Sequence, residues 1–137
     1  QHPAEAARLL GTQTADVQSN RIASVQSLSA KSGAVALLKG KNMLIANPDG
    51  EILVNSTGNA GMATGGSGDT LTGIIGSLVA QAVSSGSSVP LEQVTALGAY
   101  LHGLAGDIAA QAVGRASLTA GDLIDYLPKA IRQLEGE

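Results

Sequence analysis

The chain contains no cysteine, no phenylalanine and no tryptophan, and two tyrosines are its whole aromatic complement. Without cysteine there is neither a disulfide framework nor a thiolate metal site, which fits a reducing compartment such as the cytoplasm. Without large aromatics, a core must be assembled from Ala, Val, Leu and Ile, with glycine letting elements approach closely. A basic face is missing as well. Lys and Arg total 8 against 11 Asp and Glu, for a net charge of −3, and nucleic-acid binders normally carry the opposite balance. No apolar run reaches the length of a membrane span, and no signal-peptide pattern is present. Blocks of like charge, internal repeats and coiled-coil heptads are absent too. At 137 residues with 44% hydrophobic content, the chain has the length of one ordinary domain able to bury a core.

What is abundant is glycine, and it gathers in one stretch, Asn55–Leu78, at positions 58, 61, 65, 66, 68, 73 and 76. A helical period follows in Leu71, Ile74, Ile75, Leu78, Val79 and Ala82, so the stretch reads as a loop feeding an amphipathic helix. Loop and helix meet at Gly65-Gly66-Ser67-Gly68-Asp69. The unpaired N–H groups and positive dipole end of a first helical turn suit phosphate. A carboxylate beside such a site would repel the anion unless it had a task, such as taking a proton from a hydroxyl about to be phosphorylated. It could equally stabilise the helix N-terminus and nothing more. No Gly-Lys-Ser/Thr follows the glycines, so this is not a P-loop, and a Rossmann fingerprint lacks the terminal Asp.

Elsewhere the pattern predicts a short helix from Pro3 to Leu10, stopped by Gly11. A second, capped by Thr14, runs to about Lys31 with Val17, Ile22, Val25 and Leu28 as its buried stripe, and it reads as scaffold. The continuous apolar run Ala34–Leu38 reads as a buried parallel strand with Lys39-Gly40 at its carboxyl end, where ligands sit in open α/β sheets. Met43–Ala46 and Ile52–Asn55 read as two strands joined by the turn Asn47-Pro48-Asp49-Gly50. Ser84–Ser88 is a polar connection. Pro90 opens a long helix with Val94, Leu97, Leu101, Leu104, Ala105 and Ile108 inward, and its small residues suit close packing. His102, with only His2 elsewhere, forms no metal-ligand set and reads as structural. Thr119-Ala120-Gly121-Asp122 opens a last helix carrying Leu123, Tyr126, Leu127 and Ile131. This order gives an α/β layered architecture.

The run Gly61-Met62-Ala63-Thr64-Gly65-Gly66-Ser67-Gly68-Asp69, within an uninterrupted match from Asn59 to Gly73, resembles the signature of the ADP/ATP-dependent NAD(P)H-hydrate dehydratases of the ribokinase-like superfamily. His2-Pro3-Ala4-Glu5 resembles the family's His-Pro-Gly-Glu, and Lys39-Gly40-Lys41-Asn42-Met43 its Lys-Gly-x-x-Thr. Ala4 and Met43 are the departures: Ala would cost something where positive φ is needed, and Met43 loses a hydroxyl donor. The segment 97–107 is similar to the family as well. The resemblance implies a ribokinase-like three-layer α/β/α sandwich, of which residues 1–137 would be the C-terminal, nucleotide-binding portion of a single domain, the N-terminal half lying outside this sequence.

It further implies repair of NADHX and NADPHX: phosphorylation of the C6 hydroxyl by ADP or ATP, with Mg²⁺ on the nucleotide, then elimination of phosphate to restore NADH or NADPH. Asp69 would be the catalytic base and also touch the substrate. His2, Pro3 and Glu5 would contact the hydrated nicotinamide nucleotide. Lys39, Gly40, Lys41, Asn42 and Met43, with Asn59, Gly61, Met62, Ala63, Thr64, Gly65, Gly66, Ser67 and Gly68, would hold the adenine nucleotide. The amides of Gly66, Ser67 and Gly68 in particular would face the phosphoryl group. No dense carboxylate cluster is present to ligate Mg²⁺ directly. Expected partners are the two nucleotides and either further copies of this chain or the N-terminal half, with an epimerase domain as a possible companion. Neither nucleic acid nor membrane is expected. Two other readings stand beside this one. A small-molecule kinase of the same superfamily would share the Gly-x-Gly-Asp device. A non-catalytic fragment or degenerate half-domain would suit the departures at Ala4 and Met43 and the half-length match.

Overall fold

The structure, a computed structural model, describes residues 1–136. Three short strands, β1 (Ala36–Leu38), β2 (Leu44–Ala46) and β3 (Ile52–Val54), form a sheet in the order β1-β2-β3 with every pair antiparallel. Their register places Leu37 opposite Ile45 and Ile45 opposite Leu53. Helices α1 (Pro3–Leu10), α2 (Thr14–Ser19) and α3 (Arg21–Ser32) cover one face. There Ala6, Ala7, Val17, Val25 and Leu28 pack on Ala36, Leu38, Leu44 and Ala46. Alternate residues point the other way, so Val35, Leu37, Ile45 and Leu53 meet Leu71, Ile75 and Ala99 of α4 (Ser67–Ser84) and α5 (Leu91–Val113). Three layers result, α/β/α, because strand side chains alternate while helices stand on both faces.

The expected parallel strand is antiparallel. An apolar run reports that both faces of a strand are covered, not which way its neighbour runs. Only a short loop, residues 39–43, joins β1 to β2, and a parallel pair would need a crossover of a dozen residues or more. The outer edge of β1 is met at one point. Gln1 N donates to Leu37 O at 2.6 Å, and Lys39 N donates to Gln1 O at 2.8 Å, the two bonds of a parallel bridge centred on Leu38.

Other boundaries shift for local reasons. The helix expected from Thr14 to Lys31 breaks at Asn20 (φ −139°, ψ 64°) into α2 and α3, and Gln13 rather than Thr14 is the N-cap of α2. Asn propagates a helix poorly, and here Asn20 stands at the N-cap of α3 without a side-chain capping bond. The break turns Ile22, expected inside, to 57% exposure. Pro90 is the N-cap of α5, not its first residue. The last helix is two, α6 (Ala120–Asp125) and α7 (Leu127–Glu135); Pro128, lacking an N–H and crowding the carbonyl four residues back, prevents one continuous helix. As a result Ile131 is only partly covered.

Helix α5 is the spine, with eleven buried residues, among them Gly98, Gly103 and Gly106. A Cβ on Gly98 would lie 2.7 Å from Ile75 Cγ1 of α4, one on Gly103 2.2 Å from Thr57 Oγ1, and one on Gly106 2.3 Å from Met62 Sδ. The small residues there serve close packing, as the sequence suggests.

Candidate functional site

Lys39 follows β1 directly, and the tight loop after it uses left-handed backbone at Gly40 (φ 137°) and Asn42 (φ 53°). Behind the loop stands Arg21 of α3. Its guanidinium donates to Lys41 O, Asn42 O and Leu38 O, and a Cβ on Gly40 would come within 3.0 Å of its Nη2. Arg21, in a helix read from sequence only as scaffold, therefore sets the path of the segment that presents Lys39. Lys41 is exposed. Met43 is half-buried against the cluster of Ile45, Leu71 and Ala99, and its carbonyl accepts from Asn55 N at 2.8 Å. Its side chain therefore belongs to the core.

From β3 the chain runs along α5 through three alternating side chains. Asn55 Nδ2 donates to Ala99 O at 3.1 Å, Thr57 Oγ1 to Tyr100 O at 2.8 Å, and Asn59 Nδ2 to Gly106 O at 3.1 Å. Asp107 closes this seam by accepting from Gly58 N and Asn59 Nδ2. A 3-10 turn, Ala60–Met62, follows, with Asn59 capping Gly61 N. A Cβ on Gly61 would strike Arg115 O at 2.6 Å, and Met62 packs with Ala109, Leu118 and Leu123. Asn59, Gly61 and Met62 are thus committed to anchoring the loop. Thr57 and Asp107 were not singled out from sequence; the signal available was the period-2 spacing of Asn55, Thr57 and Asn59, which puts them on one side of an extended chain.

Ala63, Thr64, Gly65 and Gly66 form the free part of the loop. Nothing lies within 4 Å of a Cβ built on Gly65, whereas Gly66 takes φ 84° with Ala120 close by, a conformation that favours glycine. Ser67 N turns inward to Thr64 O at 3.3 Å, so Ser67 does not offer its amide to a ligand as the sequence reading had it. The amides of Gly68 and Asp69 have no partner among the described residues. Over them stands Lys39, whose Nζ would be 2.8 Å from a Cβ on Gly68. Two unpaired amides at a helix N-terminus thus lie beside an ammonium group, and such a set attracts an anion.

Asp69 is the third residue of α4. Glu5 in α1, Asp16 in α2 and Asp122 in α6 hold the same third position, and each carboxylate accepts from the main chain at its helix start: Glu5 from His2 N at 2.8 Å, Asp16 from Gln13 N at 3.1 Å, Asp122 from Thr119 N at 2.8 Å. The N-caps of those three helices are extended, whereas Gly66 is left-handed and α4 has no side-chain cap. The Asp69 carboxylate is exposed and makes no hydrogen bond within the described residues. It does not close the helix end by a hydrogen bond as the other three do, although its charge still faces the positive end of α4.

His2 caps α1, its Nδ1 accepting from Ala4 N at 3.3 Å while Glu5 bonds back to His2 N. Pro3 is buried as the first helical residue. Ala4 sits in helical backbone, so the departure from Gly costs nothing in conformation. The Glu5 pKa is lowered, first by the His2 amide and then, among smaller causes, by the charge of Lys39. His102 lies beneath α4, 3% exposed, with Nε2 at 3.0 Å from Ser67 O and 3.4 Å from Ser67 Oγ. Burial lowers its pKa, outweighing the Ser67 carbonyl, and Lys39 lowers it further. Two surface clefts stand out, an apolar groove of about 330 Å³ by Leu53, Leu97 and Leu134 and a polar one of about 490 Å³ by Asp107 and Arg115. Neither is at the junction of Lys39, Gly65 and Asp69, which is an open surface. Among the described residues no group of three or more His, Cys, Asp or Glu could hold a metal ion.

The family model for NAD(P)H-hydrate dehydratase matches residues 1–129. The chain belongs to the NAD(P)H-hydrate dehydratase family. It is 50% identical over 136 residues to the bifunctional NAD(P)H-hydrate repair enzyme Nnr of Moorella thermoacetica, covering 99% of this chain and 24% of that protein. To the ADP-dependent (S)-NAD(P)H-hydrate dehydratase of Neisseria meningitidis serogroup B it is 52% identical over 123 residues, covering 89% and 40%. The crystal structure of the ADP/ATP-dependent NAD(P)H-hydrate dehydratase of Bacillus subtilis, co-crystallised with ATP/Mg²⁺, superposes with a TM-score of 0.87 at 31% identity, covering 97% of this chain and 46% of that one. The fold is that of these ribokinase-like dehydratases. The chain thus spans less than half the length of each of these relatives.

Proposed function

We propose that this chain supplies the phosphoryl-transfer end of an NAD(P)H-hydrate dehydratase site, as the C-terminal portion of that domain. The observation that carries the reading is Asp69: the one third-position carboxylate of the four compared that caps nothing, next to unpaired amides and Lys39. ADP or ATP would place its terminal phosphate on the Gly68 and Asp69 amides and Lys39, with any Mg²⁺ arriving on the nucleotide. Asp69 takes the proton from the C6 hydroxyl of NADHX or NADPHX. That oxygen forms a bond to phosphorus as the bond to the departing nucleotide breaks. The ring nitrogen lone pair then expels phosphate from C6, and loss of a proton from C5 restores the dihydronicotinamide. His2 and Glu5, on the Lys39 side, lie where the hydrated nucleotide would enter.

Phosphoryl transfer requires exclusion of water, and this junction is open. The reading therefore includes a cover, from an N-terminal half of the domain or from further copies of the chain. A cytoplasmic setting belongs to it as well, given the soluble dinucleotide substrates; no helix of the described residues is long and apolar enough to cross a membrane. The test is calorimetry with ADP and ATP, then conversion of NADHX to NADH, on wild type and Asp69→Asn. The variant is expected to bind nucleotide normally and to lose roughly two to four orders of magnitude in turnover. A folded variant with near-normal turnover would remove Asp69 from its role. Phosphorylation of some other hydroxyl, with no NADHX repair, would instead indicate a kinase.

A further inference from the structure

We propose that His102 is a positioning residue for phosphoryl binding, acting through the Ser67–Gly68 peptide; the inference rests on the reading of the anion site given above. That peptide has two ends. Its carbonyl, Ser67 O, lies 3.0 Å from His102 Nε2 in the interior, and its N–H, on Gly68, is unpaired at the surface under Lys39. A carbonyl that accepts a hydrogen bond polarises its own amide, so its N–H becomes a stronger donor. His102 thus reaches the ligand through one planar peptide unit without touching it. It also fixes the plane in which the Gly68 N–H points, in a segment where Gly65 and Gly66 provide no side-chain restraint of their own.

The tautomer follows from the surroundings. Nδ1 is buried with no partner, and a buried lone pair without a donor costs less than a buried N–H without an acceptor. The proton is therefore on Nε2, the ring is neutral, and Ser67 O accepts from it. Burial and the Lys39 charge favour the same neutral state.

Nuclear magnetic resonance on the 137-residue chain tests this directly. A long-range ¹H–¹⁵N spectrum at pH 7 is expected to show His102 protonated on Nε2 only. His102→Leu fills the space without a donor, and its Gly68 amide proton is expected to move upfield in the ligand-free protein, with ADP affinity falling roughly tenfold, the scale of one hydrogen bond. His102→Gln carries an amide N–H where Nε2 stood and is expected to recover most of that affinity, which a role in shape alone would not give. An Nδ1 tautomer would overturn the proposal even if His102→Leu failed to fold. So would a folded His102→Leu with an unshifted Gly68 amide and unchanged ADP binding. If wild type bound no ADP, the proposed function would fall, while the ligand-free Gly68 shift would still decide on His102.

Discussion

Arg21 reaches from α3 to three main-chain carbonyls of the Lys39 loop, and a lysine cannot reproduce that fork. Arg21→Lys is therefore expected to lower stability by about 1–3 kcal/mol and to weaken nucleotide binding, because Lys39 loses its fixed approach to Gly68. Urea denaturation and calorimetry would measure the two effects, and unchanged values in both would show that the loop holds itself. The contrast with Asp69 explains what a sequence can disclose at this scale. Asp69 and the glycines before it are neighbours in the chain, so their chemistry is written as spacing. The partners of Arg21 are main-chain atoms brought near by the fold, and a carbonyl has no letter of its own. Ala4 teaches the converse, since its departure from glycine looked costly until the backbone proved helical.

At the scale of elements, helix starts were legible and strand direction was misread. The turn residues and acids at Glu5 and Asp122 gave two helix starts within a residue of their observed places. For β1 the apolar run was read and the brevity of its connection to β2 was not, although loop length is the quantity that decides direction. The three capping acids have a measurable consequence. Each carboxyl is held below its ordinary value, 4.5 for Glu5 and 3.8 for Asp16 and Asp122. The main cause is the His2 amide for Glu5, the Thr12 hydroxyl for Asp16 and the Thr119 hydroxyl for Asp122. A lowered native pKa means that the unfolded chain binds protons more readily. The stabilisation is complete above the ordinary values and is lost as pH falls through the native ones. Unfolding by urea is thus expected to become easier below about pH 4.5, and the combined Glu5→Gln, Asp16→Asn and Asp122→Asn variant should flatten that slope. An unaltered acid slope in this variant would locate the sensitivity elsewhere.

At the scale of the whole molecule, apolar surface stands open beside the sheet. Val54 of the edge strand β3 is 59% exposed, and Leu97 and Leu134 beside it are 39% and 48% exposed. An edge of that kind invites pairing. Sedimentation at micromolar concentration is expected to show species larger than the 13.6 kDa of one chain, and a stable monomer would mean that the three-stranded sheet suffices. The other edge of the sheet is directional. Because Gln1 meets β1 with the two bonds of a parallel bridge, a strand laid along that edge in continuation of Gln1 runs with β1, not against it. Pairing along that edge is then a matter of polarity as well as affinity. A strand added there would have its carboxyl end beside Lys39, level with the carboxyl end of β1. A peptide designed to pair in the opposite sense would therefore meet the wrong spacing of carbonyls and amides along that edge.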